Sequence, residues 1–286
     1  MVVAGPGVIA ARAQRGLRAM AEITGATVVN TVNAKGLLRW DDPLHGGTIG
    51  LQAGDAELAE ITSADLVVTT GLDPADSASL TAALATRAED DPDDVIEIHP
   101  GHLAWTAGGW PPAEQPGARP PIYERIASVV GPMYEAGPDA DGRIAPPRAA
   151  AALAAARPPG GLVVAAPGAA GFWIGRTFPT TEPGSVVITT GDPPGTAETL
   201  ALLAARSDRF TTLVVATSTT DPHVIDLREL GLAEGIPLQV EVWSTDAVDQ
   251  AGPSVTTIRW EAIDRLVAVA GDPDPQVWSS RPDSFG

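Results

Sequence analysis

The 286-residue sequence contains no cysteine. Disulfide bonds, thiolate nucleophiles and cysteine-based zinc sites are therefore excluded. Aromatic residues make up only 5 % of the chain, so alanine, valine and leucine must supply most of any hydrophobic core. Lysine is nearly absent as well, since Lys35 is the only lysine among 18 basic residues.

Positive charge is also scarce. The chain carries 36 acidic against 18 basic residues, a formal net charge of −18, which repels the phosphates of nucleic acids and of anionic membranes. No apolar run approaches the roughly 20 residues that span a bilayer, and Met1 leads into a strand-like run without a charged leader. We therefore expect a cytoplasmic protein with neither nucleic acid nor membrane as a partner.

The sequence does contain alternating strand and helix patterns. Short β-branched runs alternate with apolar residues at helical spacing, which predicts an α/β fold of two doubly wound parallel-sheet domains. A chain of this length can bury two cores. The predicted limits are 1–132 for a Rossmann-like domain, 133–147 for a linker, 148–270 for a second domain and 271–286 for a tail.

Several elements follow from the same patterns. One helix is predicted from Val8 to Ala21, and a longer loop through Trp40 and Gly50. Residues 99–121 are rich in proline, glycine and tryptophan, which predicts a packed irregular loop. A last helix is predicted over Trp260–Val269.

The first strand ends in Gly5-Pro6-Gly7, and with Ala10 it has the outline of a dinucleotide-binding turn. Backbone N–H groups at such a helix start can hold a phosphate. A nicotinamide-binding domain should also carry an acid at the end of its second strand, but Thr27–Thr31 ends in Asn and Thr. Two interpretations stay open: an ordinary strand-to-helix turn, or an adenine-nucleotide site at Gly5 and Gly7.

Four motifs of the first half occur together in one order. They are Gly5-x-Gly7, the run Thr31-Val-Asn-Ala-Lys-Gly36, the run Asp42-Pro-Leu-His-Gly-Gly-Thr-Ile-Gly50 and the run Ala64-Asp-Leu-Val-Val-Thr-Thr-Gly71. This series resembles the central domain of thiamine-diphosphate-dependent enzymes of the acetolactate synthase and 2-oxoacid decarboxylase family. The second half resembles that family's diphosphate-binding domain more loosely, through Val163-Val164 before Gly168, and through Glu229-Leu230.

The resemblance implies a magnesium site that the residues do not complete. The family holds the ion with the Asp of a Gly-Asp-Gly turn and a later Asn, because a hard cation needs oxygen ligands. One alignment places that turn on Thr219-Thr220-Asp221, a second on Thr217-Ser218-Thr219, and the Asn falls near Ser244-Thr245. Hydroxyls replace the ligands, so we expect a degenerate domain without a bound metal.

The candidate cofactor-binding residues span both halves. They are Gly5, Gly7, Gly168, Gly191, Thr219, Thr220 and Asp221. Asp221-Pro222-His223 with Asp226 can be interpreted as a metal site or as a helix N-cap beside a surface histidine.

The resemblance also implies a preceding domain that binds the pyrimidine ring and supplies the activating Glu. The family has this domain ahead of the stretch that begins here at Met1, and this sequence does not contain it. We therefore expect no catalysis by the chain alone and assign no catalytic residue. Thiamine diphosphate with magnesium is expected only with a partner subunit that supplies this domain.

Three explanations stay open: a truncated enzyme, one subunit of a split decarboxylase or carboligase, and a scaffold without cofactor. FAD is not expected, since Leu72–Ser77 is acidic where acetolactate synthases have an Arg-Phe-Asp-like stretch. The family resemblance implies that the chain forms oligomers.

Overall fold

The structure is a computed structural model that describes residues 1–52, 54–73, 78–110, 120–138, 144–189, 193–216 and 221–243, with the backbone of 255–258. The described chain forms two compact units. Unit 1 comprises Met1–Ser128 and Thr180–Gly184, and unit 2 comprises Val129–Pro179 and the described part of Ser185–Pro273. The boundary between the two units lies inside a helix, before the predicted linker. The predicted domain limits stay a prediction.

Unit 1 is built on a five-stranded sheet in which every neighbouring pair is parallel, in the order β3-β2-β1-β4-β5. Its strands are β1 Val2–Ala4, β2 Val28–Thr31, β3 His45–Ile49, β4 Val67–Thr70 and β5 Val95–Glu97. Its helices are α1 Gly7–Ala10, α2 Gln14–Thr24, α3 Asp55–Leu58, α4 Ala78–Asp90, α5 Leu103–Ala107 and the first part of α6 Pro121–Glu135.

Side chains alternate across this sheet, and each face is covered by helices. Val2 and Ala4 belong to one buried cluster with Leu17 of α2 and Leu103 of α5. Val3 lies on the other face, in a cluster to which α3 and α4 contribute. Both faces are therefore buried, which explains why the strands are short apolar runs instead of alternating polar and apolar residues.

Unit 2 repeats the arrangement with parallel neighbours in the order β10-β9-β8-β6-β7. Its strands are β6 Leu162–Ala165, β7 Val186–Ile188, β8 Thr211–Val215, β9 Leu238–Trp243 and β10 Val255–Ile258. Its complete helices are α7 Pro146–Ala156, α8 Ala169–Thr177, α9 Thr196–Arg206 and α10 Pro222–Glu234. The predicted α/β class with two doubly wound parallel sheets is confirmed. No helix among the described residues is long and apolar enough to cross a membrane.

The predicted loop through Trp40 and Gly50 was wrong in part, because it contains strand β3. The segment His-Gly-Gly-Thr-Ile lacks the β-branched run that marks the other strands. A Cβ atom on Gly46 would lie 2.6 Å from the Cγ2 atom of Thr27 and 3.0 Å from the Cγ1 atom of Val29. Glycine is therefore needed for β3 to pair closely with β2, and it removes the sequence signal of a strand.

Two helix predictions also differ from the structure. The helix predicted from Val8 to Ala21 is two helices, α1 and α2, separated where Arg12 adopts a left-handed φ of 53°. Residues 99–121 were predicted to be irregular, but α5 forms there because Leu103 and Ala107, four residues apart, are both buried. The helix predicted over Trp260–Val269 lies outside the described residues.

Candidate functional site

Four of the candidate residues, Gly5, Gly7, Gly168 and Asp221, lie where open α/β sheets bind ligands. In such sheets the ligand sits beyond the carboxyl ends of the strands, where the chain reverses the direction in which it adds strands. This switch point lies between β1 and β4 in unit 1 and between β6 and β8 in unit 2. Gly5 and Gly7 follow β1, Gly168 follows β6, and Asp221 follows β8.

In unit 1 the switch point is closed by packing of backbone against backbone. A Cβ atom on Gly5 would lie 2.3 Å from the carbonyl oxygen of Gly71, and one on Gly7 would lie 2.8 Å from the Cα atom of Gly71. Gly71 has a φ of 59°, and its own added Cβ would lie 2.7 Å from the amide nitrogen of Val8. The turn after β1 and the turn after β4 thus need all three glycines to pack together.

The amides of this turn donate to the chain's own carbonyls. The Gly5 N–H donates to the Thr70 carbonyl at 2.9 Å, and the Gly7 N–H donates to the Gly71 carbonyl at 2.8 Å. The following helix α1 has only four residues. The geometry therefore accounts for Gly5 and Gly7 as a packing turn without any nucleotide, and their role in nucleotide binding stays a prediction.

Neutral polar side chains at this edge were missed by the sequence analysis. Asn30 and Thr70 both pair in register with Ala4, so they flank it on the same face of the sheet. The Asn30 amide donates to the Thr31 carbonyl at 2.9 Å and to the Thr48 hydroxyl at 3.2 Å. These groups order the ends of β2 and β3, and they bring no charge to the edge.

A buried carboxylate has a structural role in the same unit. Asp55 is 1 % exposed, and its Oδ2 atom accepts from the amides of Leu51 and Gln52 at 2.9 and 3.1 Å. It begins helix α3 and orders the turn after β3. A sequence signal exists, because Asp side chains often accept hydrogen bonds from backbone amides a few residues away.

In unit 2 the turn after β6 is open. Gly168 has a φ of 86° and precedes α8, and among the described residues no heavy atom lies within 4 Å of a Cβ built on it. Arg176, in the last turn of α8, is buried with its guanidinium carbon 5.8 Å from the centre of the Phe172 ring. The turn can therefore approach a ligand by its backbone, while Arg176 at the other end of α8 is held within the core.

Asp221 is the N-cap of α10. One carboxylate oxygen accepts from the His223 amide at 2.9 Å, and His223 itself is exposed. The interpretation of Asp221-Pro222-His223 as an N-cap beside a surface histidine is confirmed. Gly191, Thr219 and Thr220 lie outside the described residues.

The donor set does not fit a magnesium diphosphate site in the described part of the chain. Asp221 is the one carboxylate of the aligned set, and one of its oxygens is already used as the cap. No group of three or more His, Asp or Glu side chains among the described residues could hold a metal ion. Thr217–Thr220 and Ser244-Thr245, where the remaining ligands are expected, supply hydroxyls only.

One carboxylate of unit 2 is unusually placed. Glu241 on β9 is 6 % exposed and accepts from the indole N–H of Trp243 at 3.1 Å and from the Gln239 amide at 3.2 Å. Burial raises the pKa of Glu241 above its ordinary value, and the hydrogen bond from Trp243 opposes that shift. The alternation Leu-Gln-Val-Glu-Val-Trp suggests a solvated polar face, so sequence reasoning missed this buried acid.

A groove of about 430 Å³ lies between α9 and α10. Leu227 and Leu230 contribute apolar surface, and Glu198 and Asp226 also line it. It opens widely to solvent, and His223 and Asp226 of the alternative metal-site interpretation line it, whereas none of the candidate cofactor-binding residues does.

The fold and its carboxyl-edge turns define a doubly wound α/β protein. The sequence profile described as "Thiamine pyrophosphate enzyme, central domain" matches residues 1–104. A Mycobacterium smegmatis protein provisionally described as a thiamin diphosphate-dependent enzyme is similar in structure, with a TM-score of 0.60 and 17 % identity. That similarity covers 95 % of this chain and 55 % of the other. No curated protein matches the sequence.

These findings confirm the resemblance to thiamine-diphosphate-dependent enzymes, and the sequence match to the central domain of that family is limited to residues 1–104. The present chain spans little more than half the length of the Mycobacterium smegmatis protein. The structural likeness extends through unit 2, where the low identity supports the fold alone.

Proposed function

We propose that this chain is a thiamine-diphosphate-enzyme homologue that performs no thiamine-dependent chemistry by itself and serves as a scaffold or partner subunit. The central domain supports the family, and the second unit supports the loss of cofactor binding. Asp221 carries this proposal. Its carboxylate caps α10, and the aligned neighbours Thr219 and Thr220 offer hydroxyls.

The physical reason is the charge balance of the ion. Mg²⁺ is usually held by one or two carboxylates together with substrate phosphates and water. A carboxylate that already accepts an amide hydrogen bond at a helix start is partly neutralised by that donor and by the helix dipole. The hydroxyls bring no compensating negative charge, so the diphosphate would lack its bridging cation.

Isothermal titration calorimetry of the full chain with thiamine diphosphate and Mg²⁺ tests this proposal. We expect no binding heat with a Kd below about 1 mM, which corresponds to about 4 kcal/mol of binding free energy. An Asp221→Asn variant is the matched control, because Asn retains the cap but removes the charge. Micromolar binding by the wild type that is lost in Asp221→Asn would overturn the proposal.

One observation favours a second candidate, a diphosphate-binding subunit of a split thiamine-dependent decarboxylase or carboligase. The turn at Gly168 is open and precedes a nine-residue helix, which is a suitable start for anion binding. Micromolar binding of thiamine diphosphate would support this candidate. No comparable observation favours an adenine-nucleotide module, since the amides of Gly5 and Gly7 are engaged.

A further inference from the structure

The groove between α9 and α10 combines apolar walls with a size suited to a small ligand. Its volume of about 430 Å³ falls within the roughly 300–1,000 Å³ of small-molecule sites. Leu227 is buried, whereas Leu200 is 37 % exposed. An apolar group that lay in the groove would therefore remove leucine surface from water. The apolar lining residues are Pro194, Leu200, Leu202, Leu227 and Leu230.

Two carboxylates line the same groove, one from each helix. Glu198 lies in the first turn of α9, and the exposed Asp226 lies beyond the first turn of α10. Neither carboxylate has a hydrogen bond or an ion pair with another described residue. No lysine or arginine among the described residues lines the groove. Arg206 of α9 instead donates from its Nε atom to Glu234 of α10 at 3.0 Å.

The starts of both helices also face the groove, and a helix start ordinarily attracts an anion. Here the chain's own acids are placed at these starts. Glu198 lies in the first turn of α9, and Asp221 accepts from the His223 amide at the start of α10. Asp226 then adds a negative charge that no cap uses. The charge of the lining therefore favours a cation over an anion.

We propose that the groove between α9 and α10 binds an organic cation in which a primary ammonium group is attached to an apolar body. The leucines contact the apolar body, and Glu198 and Asp226 accept from the ammonium group. A charged donor and a charged acceptor form stronger hydrogen bonds than neutral groups do. None of the candidate cofactor-binding residues lines the groove, so this proposal does not depend on whether thiamine diphosphate binds.

Amide NMR of the full ¹⁵N-labelled chain, titrated with hexylammonium, tests this site. At about pH 8 an alkylamine is charged and imidazole groups are ordinarily neutral. We expect the amide resonances of Leu200 and Leu230 to shift with a Kd of about 1 mM or lower. Resonances that do not move up to about 10 mM hexylammonium would overturn the proposal.

Two matched probes separate the two halves of the ligand. Methylammonium keeps the charge without the chain, and 1-hexanol keeps the chain without the charge. Each should bind at least about tenfold more weakly than hexylammonium, because each loses one of the two contacts. Equal binding of either probe would show that the groove does not recognise the combination, which would overturn the proposal.

A double variant, Glu198→Gln with Asp226→Asn, removes both charges with little change in shape. It should raise the Kd for hexylammonium at least about tenfold. Glu229→Gln is the matched control, since Glu229 is an exposed acid of α10 that does not line the groove. The control should bind like the wild type. Equal weakening by the control would mean that the net charge of the chain attracts the probe, and the proposed site would be wrong.

A second pair of variants tests the apolar contact. Leu200→Ala should raise the Kd about threefold or more, read from the Leu230 resonance, because it removes apolar surface that the probe covers. Leu203→Ala should leave the Kd unchanged, since Leu203 is 56 % exposed on the same helix but does not line the groove. Circular dichroism confirms that each variant is folded. Equal Kd values for the two variants would overturn the placement of the apolar body.

Discussion

The glycine-to-glycine contact at the end of β1 leads to a strong prediction about stability. A Gly5→Ala substitution adds one methyl group at a point where the Gly71 carbonyl oxygen would be 2.3 Å away and the Leu72 Cα atom 2.6 Å away. Both are backbone atoms, so no side chain can rotate aside. Either the turn after β1 or the turn after β4 must move.

The cost follows from two contributions. Overpacking in a well-packed region costs about 1–3 kcal/mol, and movement of the turns weakens the hydrogen bonds from Gly5 to Thr70 and from Gly7 to Gly71, each worth about 1 kcal/mol. We therefore expect Gly5→Ala to lower the free energy of unfolding by about 3–5 kcal/mol, a large share of the roughly 5–15 kcal/mol typical of a folded domain.

Urea unfolding followed by far-ultraviolet circular dichroism measures this change. Gly108→Ala is the matched control in unit 1, because Gly108 has an ordinary helical φ of −68° and an added Cβ would lie 3.6 Å from its nearest neighbour. It should be neutral or stabilise by less than about 1 kcal/mol. A Gly5→Ala variant that unfolds at the same urea concentration as the wild type would refute the packing explanation.

Two further substitutions test the buried carboxylates. Asp42→Asn should destabilise by about 2 kcal/mol in urea unfolding, since buried Asp42 accepts from the Arg18 guanidinium at 2.7 Å. Asp41→Asn, in an exposed ion pair, should leave the urea midpoint unchanged. Equal effects of the two would contradict this reading. Because the folded pKa of Glu241 is raised, the stability it contributes is present at low pH and lost as pH rises through that folded pKa. Glu241→Gln should therefore gain stability over the wild type, measured as urea midpoints, as pH rises above the ordinary range of a carboxyl group, with the bond from Trp243 retained, and a difference independent of pH would refute the shift.

The sequence was sufficient for the fold class because the central strands are β-branched and buried on both faces. Val2–Ala4 and Val67–Thr70 are examples, and each is followed by a helical pattern. It was insufficient where close pairing demands glycine, as in β3, since a small residue carries no hydrophobic signal. It also missed α5, whose two buried residues stand among prolines, glycines and tryptophans.

The candidate site was harder to predict for a physical reason. A phosphate-binding turn and a turn packed against another backbone both require Gly5 and Gly7, and only the contact with the distant Gly71 distinguishes them. Asp221 is a comparable case, because the same carboxylate can cap a helix or hold a cation. Local sequence does not reveal whether a backbone amide or a cation contacts this carboxylate. The structure shows that the His223 amide donates to it.

The central claim is that unit 2 retains a doubly wound sheet but carries a cap and hydroxyls where a divalent cation would bridge a diphosphate. Phosphorus-31 NMR of thiamine diphosphate, titrated with the full chain in the presence of Mg²⁺, tests it most directly. We predict that both phosphorus resonances keep their positions and widths at equimolar protein. A shifted or broadened β-phosphorus resonance that returns to its free position when Mg²⁺ is chelated would contradict the claim.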